Sequence, residues 1–243
     1  MTALSLASFR QGQGWLLAGL SVATLLSWWY LVHMANGMPS MQGPMPFRPW
    51  ATLSMWVVMM IAMMLPSAAP GIMMLAASRP QGRHAVLLPY LFTLGYLLAW
   101  VAYSALATAA QWGLHASDML TPAQALRSEL LAGLILAAAG IFQWTPWKQA
   151  CLRYCRSPMG MLAEGFPGTA WRTLTAGMRL GLYCAGCCWA LMALMFVGGV
   201  MSLAWMAALT LIILLEKLIS PWQWLANLLG GALAAYGGWL VFT

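Results

Sequence analysis

Apolar residues run along this chain in long unbroken stretches, without the short alternation of a half-buried strand. Seven stretches approach the roughly 20 helical residues that a hydrocarbon core requires. They lie at Trp15–Met34, Trp50–Ala77, Val86–Trp112, Leu130–Trp144, Leu174–Gly199, Ser202–Leu218 and Trp222–Phe242. The fourth is short, and its helix is expected to begin nearer Arg127. Only Gly198-Gly199-Val200-Met201 separates the fifth from the sixth, so six spans with one re-entrant piece is the alternative. Trp28, Trp29, Tyr30, Trp50, Trp144, Trp147 and Trp222 fall at stretch ends, where interfacial aromatics gather. The first stretch is too long for a signal-peptide core and reads as a retained helix. Between the fourth and fifth stretches, Thr145-Pro146 reads as an N-cap followed by proline at the first helical position, and Ser157-Pro158 as a stop. A short interfacial helix over Pro146–Arg156 is therefore predicted.

Composition agrees with that pattern. Of 243 residues, 63% are hydrophobic and 6% charged, too few charges to cover a soluble domain of this length. The expectation is a single integral membrane domain over residues 1–243: an all-α, polytopic bundle of about seven transmembrane helices, in contact with the lipid bilayer. The net charge of +7 comes from scattered loop cations, with no basic run for nucleic acid. Placing the amino terminus in the cytoplasm puts nine of the eleven Lys and Arg inside, leaving Arg48 and Arg127 outside. The expected location is the bacterial inner membrane, multi-pass. A homo-oligomer is compatible with such a bundle.

The chain's five cysteines fall in two clusters, Cys151 with Cys155 and Cys184 with Cys187 and Cys188. Spacings of three and four put each cluster on one helical face. Lys148, Arg153 and Arg156 are expected to surround the first pair with positive charge and favour its thiolates. Thiols on a cytoplasmic face stay reduced, which argues for soft-metal binding over disulfide exchange. Free cysteine also packs as a small hydrophobe, but five grouped this way favour a chemical use.

Methionine is the second signal. Met59, Met60, Met63 and Met64 form two adjacent ladders on the second stretch, interrupted by Pro66 and Pro70, where the helix is expected to kink or open. The loop before it carries His33, Met34, Met38 and Met41 among glycines and prolines, on the outer side in this orientation. Thioethers are soft, uncharged ligands that suit Cu(I). Glu216-Lys217 closes the sixth stretch and reads as a structural ion pair, while Gly230, Ala234 and Gly238 read as a close helix seam. No phosphate-binding glycine loop, Schiff-base lysine in the last stretch or hydrolase triad is present, so binding rather than catalysis is expected.

Several strings together resemble a family of uncharacterised bacterial integral membrane proteins described as predicted metal-binding. They are Trp56…Ala62-Met63-Met64-Leu65-Pro66-Ser67, Thr145-Pro146-Trp147-Lys148…Cys151-Leu152…Cys155-Arg156-Ser157-Pro158, Gly181…Cys184…Gly186-Cys187-Cys188-Trp189-Ala190-Leu191-Met192 and Glu216-Lys217-Leu218. The resemblance runs from about Trp50 to Gly238 and implies metal binding without naming the metal. It also leads one to expect a histidine where Leu180 stands. The combined expectation is a membrane protein that binds a soft metal, Cu(I) first among them, for transport or for delivery to a metallochaperone or membrane-complex subunit. Its ligands would come from Cys151, Cys155, Cys184, Cys187, Cys188, His33 and the methionines above. A quinone-coupled thiol oxidoreductase and a non-catalytic assembly subunit are the alternatives.

Overall fold

The computed structural model describes residues 3–37, 47–78, 87–156, 169–218 and 223–242. Met38, Met41, Ser157, Pro158 and Trp222, all singled out above, lie outside these residues. The described elements are helices: α1 (Ala3–Gly37), α2 (Pro49–Ser78), α3 (Leu88–Ala116), α4 (Glu129–Gln143), α5 (Pro146–Arg156), α6 (Ala170–Ala193), α7 (Leu203–Leu218) and α8 (Gln223–Phe242). A further turn, Met195–Gly198, extends α6. Among the described residues no strand forms, and a lone bridge joins Leu120 to Leu126 in the loop between α3 and α4.

Four segments are long and apolar enough to cross a membrane: Gln13–Gly37, Pro49–Ala77, Leu88–Ala116 and Ala170–Gly198. Helices α4 and α5, bent by 64° from one another, make a fifth if taken together. The 16 residues of α7 reach about 24 Å at 1.5 Å per residue, short of the ~30 Å hydrocarbon thickness.

Local signals set the helix ends. Ser128 accepts from the Leu131 amide at 3.3 Å, which starts α4 at Glu129 rather than at Arg127. Thr145 caps α5 through the Lys148 amide, also at 3.3 Å, so the short helix runs over the predicted Pro146–Arg156. Thr169 caps α6. Gly199, at φ +90°, breaks the chain between α6 and α7, where a Cβ would lie 3.1 Å from the Ala123 carbonyl. The Leu126 amide donates to the Phe196 carbonyl at 2.8 Å beside it, tying the α3–α4 loop to this corner.

Glycines let two helix pairs touch at their backbones. Side chains at Gly95 or Gly177 would run into the Leu174 and Phe92 carbonyls, so α3 and α6 are in backbone contact. Helices α4 and α8 meet likewise: a Cβ on Gly140 would lie 2.6 Å from the Ala234 amide, and one on Gly133 2.8 Å from the Gly237 carbonyl. The seam on α8 is therefore Gly230, Ala234 and Gly237, whereas Gly238 has nothing within 4 Å.

Helix α2 stays continuous through Pro66 and Pro70 instead of opening. Pro66 has no N–H to give the Ala62 carbonyl, four residues back. The Trp28 indole of α1 donates to that carbonyl at 3.1 Å, so this ring serves the helix interior and not a membrane interface. Replacing Trp28 by phenylalanine keeps most of the packing and orphans the carbonyl. Thermal unfolding in detergent should register a loss of about 1–3 kcal/mol; a loss below ~0.5 kcal/mol would mean another donor takes over.

Candidate functional site

Helix α5 docks across α6 and α7 rather than lying free. Its buried face presents Lys148 and Leu152, one turn apart, with Cys151 and Cys155 beside them. Lys148 is 1% exposed, so its ammonium needs a counter-charge. Glu216 of α7 supplies it at 2.7 Å, and Lys148 also donates to Gln143 Oε1 at the end of α4. Gln143 Nε2 in turn donates to the other Glu216 oxygen at 3.3 Å. Arg156 donates through Nε to the Glu216 carbonyl at 2.8 Å. One carboxylate thus gathers α4, α5 and α7.

This arrangement corrects two expectations. Glu216 does form an ion pair, but with Lys148, because adjacent residues on a helix point about 100° apart and cannot share a partner. Lys148 and Arg156 are spent on Glu216, and Arg153 donates to the Gln149 carbonyl at 3.4 Å, so the cations do not favour thiolates there. Hydrogen bonding to Cys184 and Cys187, then burial, holds the Cys155 thiol well above its ordinary value. Burial and then the neighbouring Cys187 raise Cys151 as well.

The two cysteine clusters come together. The Cys155 thiol faces the Cys184 and Cys187 sulfurs, while the Cys151 sulfur lies against Gly186, where a Cβ would be 3.2 Å away. All three α6 thiols are buried. Cys187 and Cys188 donate back to the Cys184 carbonyl at 3.1 and 2.8 Å.

Cys184 is the centre of the cluster. Lys217 Nζ stands 2.8 Å from its sulfur, 3.0 Å from Ser67 Oγ and 3.9 Å from the Met64 sulfur. Tyr96 Oη lies 3.1 Å from Cys184 Sγ and 3.2 Å from the Met64 carbonyl. Soft sulfur from α2, α5 and α6 therefore meets around one buried ammonium.

Met59, Met60, Met63 and Met64 are each at most 1% exposed, packed along the inner face of α2. Met34 is half-buried near the far end of α1, whereas His33 is exposed and stacks on Trp29 at 5.7 Å. Leu180, where a histidine was expected, is buried in the core. Among the described residues no three Cys, His, Asp or Glu side chains are disposed to hold a metal ion together. Any soft ion would be shared between thiols and thioethers after the sulfur hydrogen bonds rearrange. Sequence reasoning did not assign Lys217, Tyr96 and Ser67 to the cluster.

The fold is an all-α bundle with four to five helices long and apolar enough to cross a membrane, and its buried sulfur cluster lies midway along α2 and α6. The chain belongs to the PpoB2 family of copper chaperones, whose family model matches residues 53–240. No curated protein and no solved structure matches it.

Proposed function

We propose that this protein is an integral membrane copper chaperone that carries Cu(I) as cargo on the Cys184 cluster and hands it to a protein partner. The observation that carries the reading is the meeting of Cys155, Cys184 and Cys187, with Lys217 set between Cys184 and the Met64 thioether. Thiolate and thioether sulfur favour Cu(I) over harder cations. Lys217 carries the same single positive charge as Cu(I), so it acts as a placeholder that keeps Cys184 ready for a cation. Each thiol that ligates Cu(I) gives up its proton to solvent or to the partner.

In this reading the bundle spans the bacterial inner membrane with the amino terminus inside. The Cys184 cluster then lies near mid-span with α5 on its cytoplasmic side, and the end of α1, the start of α2 and the α6–α7 join face outward. The test is copper retained by purified protein under reducing conditions against a strong Cu(I) chelator, measured by elemental analysis. Wild type should hold copper, and a variant with all five cysteines changed to serine should release it. Equal retention by the two proteins, or none by wild type, would overturn the proposal.

A further inference from the structure

A second cluster of sulfur sits nearer the start of α2, about a turn before the cysteine site, in residues that site does not use. A small cavity of about 10 Å³ opens between α1, α2 and α7. Five methionines line it: Met34 of α1, Met55 and Met59 of α2, Met201 of the α6–α7 join and Met206 of α7. The rest of its lining is aliphatic. Met55, Met59 and Met206 are buried, and Met34 and Met201 are half-buried.

Packing alone does not account for this arrangement. Methionine is the residue that fills irregular gaps, yet here five flexible side chains from four segments surround a gap and leave it open. The space is about that of a single water-sized sphere, but an apolar lining gives water too few polar partners to stay. The lining offers no carboxylate, imidazole or thiol. Hard cations therefore find no ligand, and zinc lacks its usual nitrogen or thiolate donors. A neutral set of thioethers suits Cu(I) and its soft monovalent analogue Ag(I).

We infer that this cavity is a second, all-thioether Cu(I) site, the one at which the ion first enters the bundle. The inference rests on the copper reading above and extends it. Met59 lies on the cavity wall, Met63 follows one turn later, and Met64 stands at the Lys217–Cys184 cluster. From Met59 to Met64 the rise along α2 is about 7.5 Å, through buried sulfur all the way. Thioethers exchange a soft ion readily, and thiolates hold it more tightly, so the gradient runs from the cavity to the cysteines. Because thioethers have no proton to lose, binding in the cavity should not depend on pH, unlike binding at the thiols.

The experiment uses the full chain with all five cysteines changed to serine, titrated with Cu(I) under reducing, oxygen-free conditions. About one Cu(I) per chain should bind, more weakly than in wild type, with an affinity unchanged between about pH 5 and 8. X-ray absorption should show sulfur-only coordination. Adding Met55→Leu and Met206→Leu, which preserve volume, should weaken this binding at least tenfold, whereas Met195→Leu, buried away from the cavity, should leave it unaltered. A cysteine-free protein that binds no Cu(I), or leucine variants that bind as before, would overturn the inference. Met55→Leu and Met206→Leu in the otherwise wild-type chain should leave chelator-resistant copper on the cysteines. That result shows the variant folds and separates failure of the cavity from failure of the cysteine site.

Discussion

Replacing Lys148 by alanine should destabilise the folded protein by about 3–5 kcal/mol, among the largest effects of any single substitution outside the cysteines. The magnitude follows from removing one partner of a buried ion pair and leaving the other charged. Lys148 and Glu216 have side chains only 2% and 4% exposed, and Gln143 and Arg156 converge on the same residue. Losing the ammonium leaves a carboxylate with no solvent and removes the clamp that seats α5. Cys155 should then leave Cys184 and Cys187, so copper retention should fall together with stability. Replacing both partners, with Lys148→Met and Glu216→Leu, should recover most of the stability because no charge is stranded. Thermal unfolding in detergent would report both variants. A single-site loss under about 1 kcal/mol would mean that water reaches the pair.

The second large effect belongs to Cys184. Serine there should weaken Cu(I) binding about 100-fold or more, beyond the 10–100-fold typical of losing an outer-shell partner. Its sulfur is approached by Lys217, Tyr96 and Cys155 together. Cys188 turns its thiol to a carbonyl at 2.8 Å, and Cys188→Ser should weaken binding less than about tenfold. Equal losses at the two positions, read by chelator competition, would show that the ion does not centre on Cys184. Affinity should also rise with pH. The thiols of Cys151 and Cys155 are held above their ordinary value and stay protonated at neutral pH, so protons compete with the metal until the medium becomes more alkaline.

The short helix α5 could be read from the sequence because its signals are local: a threonine cap, a proline in the first turn and cysteines four apart on one face. The seam between α4 and α8 could be read as a pattern of small residues but not in register. Whether Gly237 or Gly238 faces Gly133 depends on helix rotation that only packing fixes. The partners of Lys217 were hidden for a similar reason. Met64, Ser67 and Cys184 are far from it along the chain, while Glu216 is adjacent and drew the pairing. The expected opening of α2 was correct about Pro66 and missed the remedy, since an indole on another helix closes the gap. The cavity joins Met34 to Met206, and no spacing rule links positions so distant.

The family match begins at residue 53, after α1 has ended, yet α1 brings two of the described contacts. Its Trp28 finishes the backbone of α2, and its Met34 forms one wall of the thioether chamber. A version shorn of this first helix would keep every cysteine and still leave the membrane's interior facing a bare peptide oxygen and a breached chamber. The leading helix is in that sense the door frame of the protein: it stands outside the matched region and completes the walls of what lies within.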